Sequence, residues 1–303
     1  MLAVAGTFSP TSVLFQVNNV GIKILLFALA IGIAFGLLRR PFFRARPNLS
    51  TDTSVQRHSS GNLLLHWVNA AAFLLAIYTA AVLLRWIGDP LQLSTVYILH
   101  YVAGGLILFA AGAVAMNALT YGTTSRHRLL PTGADMREFG SELLGYIGLR
   151  GNQGFLGFFP NQKKRESVTS SGDKYLATER VMSYPLWVVI LTVLFITGTI
   201  KGLRYLYPIP NSWLSVVTPV HDIAAYATVV MLVFHAGAVL VIKTNWPLLR
   251  SMFTTREDMA YARQHNPKWL EEVAKAADEA PKQPVTPAPG SLAPTHGSAG
   301  GSD

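Results

Sequence analysis

Five apolar runs, each near the length that crosses a bilayer, leave few folds open to this chain. They fall at 20–38, 63–87, 96–117, 184–206 and 219–242. A spanning helix needs roughly 20 predominantly apolar residues. Only 14% of the 303 residues are charged, against roughly 25% in a soluble domain. The expected fold class is therefore an all-α integral membrane protein. The first run has no basic stretch before it and meets Arg39 and Arg40 at its end. It reads as a retained helix rather than a cleaved signal peptide.

Charge fixes an expected orientation. Of the 25 Lys and Arg residues, 21 lie in the segments 39–62, 118–183 and 243–303. The alternate loops hold only Arg85, Lys201 and Arg204. Cytoplasmic loops carry the Lys/Arg excess, so the N-terminus is expected outside and the C-terminus inside. The net charge of +9 then belongs to those loops and the lipid surface, and no nucleic acid is expected as a partner. With no cysteine in the chain, thiolate chemistry, Cys-bound metals and thioether-linked haem are excluded. The expected organisation is an N-terminal extension with one helix (1–54), a four-helix domain (55–280) with a cytoplasmic loop at about 118–183, and a disordered Pro/Gly/Ser/Thr tail (281–303).

Four of the eight histidines, His66, His100, His221 and His235, fall inside the last four spans. Ionisable residues at membrane depth are costly and face the bundle interior, often at functional sites. The expected topology puts His66 and His235 near the inner leaflet and His100 and His221 near the outer one. His221 and His235 are separated by about 21 Å of helix and only about 40° of rotation. One helix thus offers two imidazoles from one face, each able to meet a partner: His100 with His221, and His66 with His235. Two imidazoles across a bundle form the axial set of a six-coordinate b-type haem, whereas zinc wants four ligands. The expectation is two b-type haems, with His66, His100, His221 and His235 as iron ligands and no catalytic residue. A His-lined transporter or proton conductor, and a structural anchor whose histidines merely pack, are the readings from other classes. Gly104, Gly105 and Gly198 offer close approach for a macrocycle or for a neighbouring helix. Arg85, Lys201 and Arg204 stand at the outer ends as candidate propionate partners, or as snorkelling cations. Asn69, one turn from His66, is a candidate donor at the inner haem, and Asp222 adjoins His221.

These residues resemble the cytochrome b (gamma) subunit of membrane-bound formate dehydrogenase, within the hydrogenase-type di-haem cytochromes b. The resemblance covers about 55–280. It is carried by His66-Trp67, by Ile98-Leu99-His100 followed by Gly104-Gly105, and by Lys174-Tyr175 ahead of Ile196-Thr197-Gly198. It is carried further by His221 and His235, by Trp246, and by the stretch from Ala262 through Asn266-Pro267-Lys268-Trp269 to Glu272. That last stretch points to the formate version of the family. The resemblance implies a four-helix di-haem bundle plus one extra N-terminal helix. It also implies an outer iron–sulfur (beta) subunit and a molybdenum or tungsten catalytic (alpha) subunit. Electrons would enter at His100/His221, leave from His66/His235 and reduce a quinone near the cytoplasmic face. A nickel–iron hydrogenase or a sulfur-compound oxidoreductase is the alternative catalytic partner. Where the family carries Tyr-Asn-x-x-Gln-Lys, this chain reads Tyr175-Leu176-Ala177-Thr178-Glu179-Arg180. Tyr175, Glu179 and Arg180 are the candidate quinone-region residues. Segment 136–149 reads as an amphipathic helix on the inner membrane surface, and 151–160 as a surface cover with no ligand or, alternatively, as a lining of the quinone entrance.

Overall fold

The fold was analysed in a computed structural model, which describes residues 9–43, 53–88, 91–121, 131–146 and 172–278. Five helices in it are long and apolar enough to cross a membrane: α1 (Val13–Leu38), α3 (Ser60–Leu83), α4 (Leu93–Tyr121), α6 (Tyr184–Leu203, entered through a π-helical turn at Glu179–Ser183) and α7 (Asn211–Leu240). The all-α membrane fold expected from the apolar runs is the one observed. Shorter helices fill the connections: α2 (Arg40–Phe43), α5 (Gly133–Tyr146), α8 (Trp246–Thr254), α9 (Met259–His265) and α10 (Pro267–Asp278). The tail and segment 151–160 lie outside the described residues.

Local chemistry sets the helix ends. The Ser12 and Ser59 hydroxyls accept from the backbone N–H groups of Phe15 and Asn62, capping α1 and α3. Asp258 caps α9 by accepting from Ala260 and Tyr261. The last span differs from expectation: it starts at Asn211, so Pro219 lies inside it instead of opening it. Proline is tolerated within spanning helices because neighbouring groups re-satisfy the freed carbonyl.

Many large apolar side chains point outward, among them Phe234 at 69% and Val188 at 65% exposure. Lipid is the solvent that such a surface requires. Inside, α3, α4 and α6 share a cluster of Ala72, Phe73 and Ile107 with Trp187 and Leu191. The extra helix α1 lies along α4 at very close range. A Cβ at Gly32 would stand 2.3 Å from the Phe109 carbonyl oxygen, and one at Gly36 2.3 Å from that of Ala113. Small residues let spanning helices approach in this way. Buried Asn18 of α1 accepts from the Tyr101 hydroxyl of α4 at 2.6 Å.

A cap closes one side of the bundle. Strand β1 (Ser54–Gln56) pairs antiparallel with β2 (Arg256–Asp258), a small ribbon that the all-α reading did not include. Val55, Met259, Ala262, Trp269 and Val273 form its apolar core. At its centre Arg57 donates to Glu257 Oε2 at 2.6 Å, to Asn266 Oδ1 at 3.2 Å and to the Lys174 carbonyl. Its guanidinium also lies over the Trp269 ring, 5.4 Å from the centroid. Segment 172–175, the residues before α3 and the residues after α8 are thereby joined.

Candidate imidazole pairs in the bundle

The four intramembrane histidines occupy two levels. His66 sits in the second turn of α3 and His235 near the end of α7, both on the cap side. Their ring centroids are 6.2 Å apart, with ring planes tilted by 53°. A metal–imidazole bond is roughly 2 Å, and the ring centroid lies about 1 Å beyond the nitrogen. Two imidazoles facing each other across one metal therefore place their centroids about 6 Å apart. The cap-side pair fits a shared iron. Asn69 Oδ1, one turn from His66, is buried with no hydrogen-bond partner among the described residues, so an acceptor lies beside the pair.

His100 of α4 and His221 of α7 lie on the far side, within electrostatic reach of each other and of Lys201. Each is held by a threonine of the preceding helix. His100 Nδ1 is 2.8 Å from Thr79 Oγ1, and His221 Nδ1 is 2.9 Å from Thr197 Oγ1. Gly198 leaves room beneath the second ring, since a Cβ there would lie 3.1 Å from His221 Cε1. Among the described residues no group of three or more His, Asp or Glu side chains is placed to hold a metal ion. The imidazoles come in twos, the number that a six-coordinate haem takes from its protein.

The remaining predicted site residues are placed as follows. Gly104 faces α1: a Cβ on it would meet Leu25 Cδ2 at 3.1 Å. Its smallness thus serves the packing of α1 on α4. Lys201 pairs with Asp222 at 3.0 Å. Arg204 stacks on Tyr205, its guanidinium carbon 4.6 Å from the ring centroid, and donates to the Tyr205 hydroxyl. Arg85 follows the end of α3 in the left-handed region, at φ 62°.

On the cap side, Arg180 is buried and pairs with Asp135 and, at 2.8 Å, with Asp173. Asp135 belongs to α5, so the predicted surface helix, observed from Gly133, is tied to the entrance of α6. Thr132 donates its hydroxyl to Asp135 Oδ2 at 2.6 Å and starts that helix. Glu179 accepts from the Leu176 N–H, and Tyr175 packs edge-on against Tyr184 at 5.7 Å. Burial, then the nearby cations Lys174 and Arg57, push His58 down to about 3.

Sequence reasoning gave no role to Arg57, Glu257 or Thr79, and named Thr197 only within a resembling stretch. Nothing local marks the first two, which meet across 200 residues of chain. A threonine in an apolar span, about one bilayer-crossing before a histidine, was the available signal for the others.

The chain matches no curated protein. The sequence profile described as prokaryotic cytochrome b561 matches residues 57–255, a stretch that holds all four intramembrane histidines and four of the five spans. With paired imidazoles inside a bundle of that length, the chain belongs to the prokaryotic cytochrome b561 family and is a multi-pass membrane protein that holds b-type haem and transfers electrons.

Proposed function

We propose that the chain is the membrane subunit of a respiratory formate dehydrogenase complex. In this reading it holds two b-type haems and carries electrons from an outer iron–sulfur subunit to quinone near the cytoplasmic face. The carrying observation is the arrangement of four imidazoles as two pairs at two depths, one pair with ring centroids 6.2 Å apart. Haem would supply one-electron redox chemistry when bound, and each haem would be held by two imidazoles of this chain. The work of this chain is thus to hold and orient. His66 and His235 are the ligands at the cap side, and His100 and His221 those at the far side. Asn69 offers an acceptor at the cap-side pair, while Lys201, with Arg204 and Arg85, is the candidate cation for propionates at the far-side rim.

The Lys/Arg excess on the loops of the cap side supports a cytoplasmic cap and an outer N-terminus. Tyr175, Glu179 and the Arg180 ion pairs border the cap-side level, where quinone and cytoplasmic protons would meet. The four-helix domain spans 55–280 in this reading, and α1 is an added helix braced on α4. A molybdenum or tungsten subunit beyond the iron–sulfur partner would oxidise formate outside. Support for formate comes from the stretch 262–272, which forms α9 and the start of α10 in the cap.

The test is the isolated complex. Two haems per chain by pyridine haemochrome, reducible by formate, are expected. One haem or none defeats the di-haem reading. Reduction by hydrogen or a sulfur compound, but not by formate, assigns a different catalytic partner. His100→Ala or His221→Ala is expected to remove one haem signal, and His66→Ala or His235→Ala the other.

A further inference from the structure

We propose that Thr79 and Thr197 are positioning residues that fix the tautomer of the far-side imidazoles and strengthen those imidazoles as donors to iron. The inference rests on the proposed assignment of His100 and His221 as haem ligands and goes beyond it.

Thr79 Oγ1 lies 2.8 Å from the Leu75 carbonyl oxygen and 3.0 Å from that of Ala76. Thr197 Oγ1 lies 2.5 Å from the Val193 carbonyl oxygen. Carbonyls only accept, so each hydroxyl spends its single hydrogen on its own helix. Each hydroxyl oxygen then has only lone pairs to offer the imidazole Nδ1 beside it. In this proposal Nδ1 carries the hydrogen in both rings. A neutral imidazole has only one, so both Nε2 atoms present a lone pair.

Burial makes this arrangement count. Thr79 is fully buried and Thr197 nearly so, so no water competes for the bond. Each bond is one link in a relay from imidazole to hydroxyl to carbonyl, whose members polarise one another. An imidazole that donates its distal N–H becomes a more basic ligand. A more basic ligand favours ferric over ferrous iron and lowers the reduction potential. Lys201 would act the other way, but Asp222 pairs with it at 3.0 Å. On the cap side no threonine hydroxyl bonds a ring nitrogen of His66 or His235 among the described residues, and the acceptor beside that pair is the unpartnered Asn69 Oδ1. The same geometry occurs twice, from α3 to α4 and from α6 to α7, both at the far-side level.

The experiment uses the full complex with Thr79→Val, Thr197→Val and both together, and Thr→Ser at each site as the conservative control. Haem content, midpoint potentials and the low-temperature electron paramagnetic resonance spectrum are measured. The signal lost in His100→Ala identifies the far-side haem. Valine keeps the shape and removes the hydroxyl. The expected result is full haem content with a more positive far-side midpoint in each Val variant, additive in the double variant. The expected shift is severalfold in the reduction equilibrium, where tenfold is about 59 mV for one electron. The Ser variants are expected to match wild type, and the other haem to stay put. Loss of the far-side haem in the Val variants alone also supports the inference. Full haem content with unmoved potentials and spectra overturns it, as does equal damage by Ser and Val. Absence of haem from the unmodified complex instead overturns the proposed function.

Discussion

The membrane bundle and the cap beneath it are held together by opposite means. In the bundle, apolar side chains face outward and the helix seams are lined with small residues, as along Gly32 and Gly36 against α4. Lipid is as apolar as leucine, so these helices gain by close van der Waals approach and by a few buried hydrogen bonds. In the cap, Val55 and Ala262 at 0% exposure and Trp269 at 3% form a small core of the soluble kind. A fully enclosed ion pair, Arg57–Glu257, sits beside it. Identical backbone chemistry thus meets two solvents in one chain, and each region is vulnerable where the other is tolerant.

The sharpest way to break this comparison is Arg57→Met. It leaves Glu257 buried without its cation, at an expected cost of about 3–5 kcal/mol to the cap. Hydrogen exchange over 256–278 should speed up markedly while the spanning helices stay protected. Adding Glu257→Met should recover most of that loss, because the unpaired charge and not the missing attraction causes it. Gly32→Leu probes the opposite region. Its side chain would press on the Phe109 carbonyl, costing roughly 1–3 kcal/mol, read as a lower unfolding temperature in detergent with cap exchange unchanged.

Acid sharpens the contrast further. His58 titrates near 6.5 when unfolded but near 3 in the folded cap. Its neutral form is therefore favoured by folding. Stability is intact above pH 6.5 and declines as pH falls toward 3, by no more than about 1.4 kcal/mol per unit. His58→Gln should flatten that slope. The smallest effect is expected at the joint between the regions. Trp67→Phe deletes the indole N–H bond to the Met252 carbonyl at 2.7 Å but keeps a ring against Phe253. It should cost about 0.5 kcal/mol in thermal unfolding, the low end for a neutral, exposed bond.

The bundle was far more legible than the cap. Long apolar runs locate spans because hydrophobic length is a local property, and the rise and twist of a helix put His221 and His235 on one face at two depths. Pro219 misled the placement of α7, since proline usually opens a helix in water but is tolerated inside a membrane helix. Gly104 could not be assigned to haem or helix from sequence, because a small residue permits either approach. The Arg57 hub was invisible: its partners Lys174, Glu257 and Asn266 are 117, 200 and 209 residues away, and three-residue strands carry no readable period. Thr79 and Thr197 passed as ordinary polar residues until the rings beside them were placed.

The pairing of β1 with β2 sets an order of events during synthesis. Residues 54–56 leave the ribosome long before residues 256–258, and the polypeptide emerges at about 5–20 residues per second. The early strand therefore waits some ten seconds or more, through the insertion of four further helices, before its mate exists. This clasp can close only after the last described spanning helix has been made, and a chain cut short after α8 would keep the five described spanning helices yet leave its lower rim unfastened.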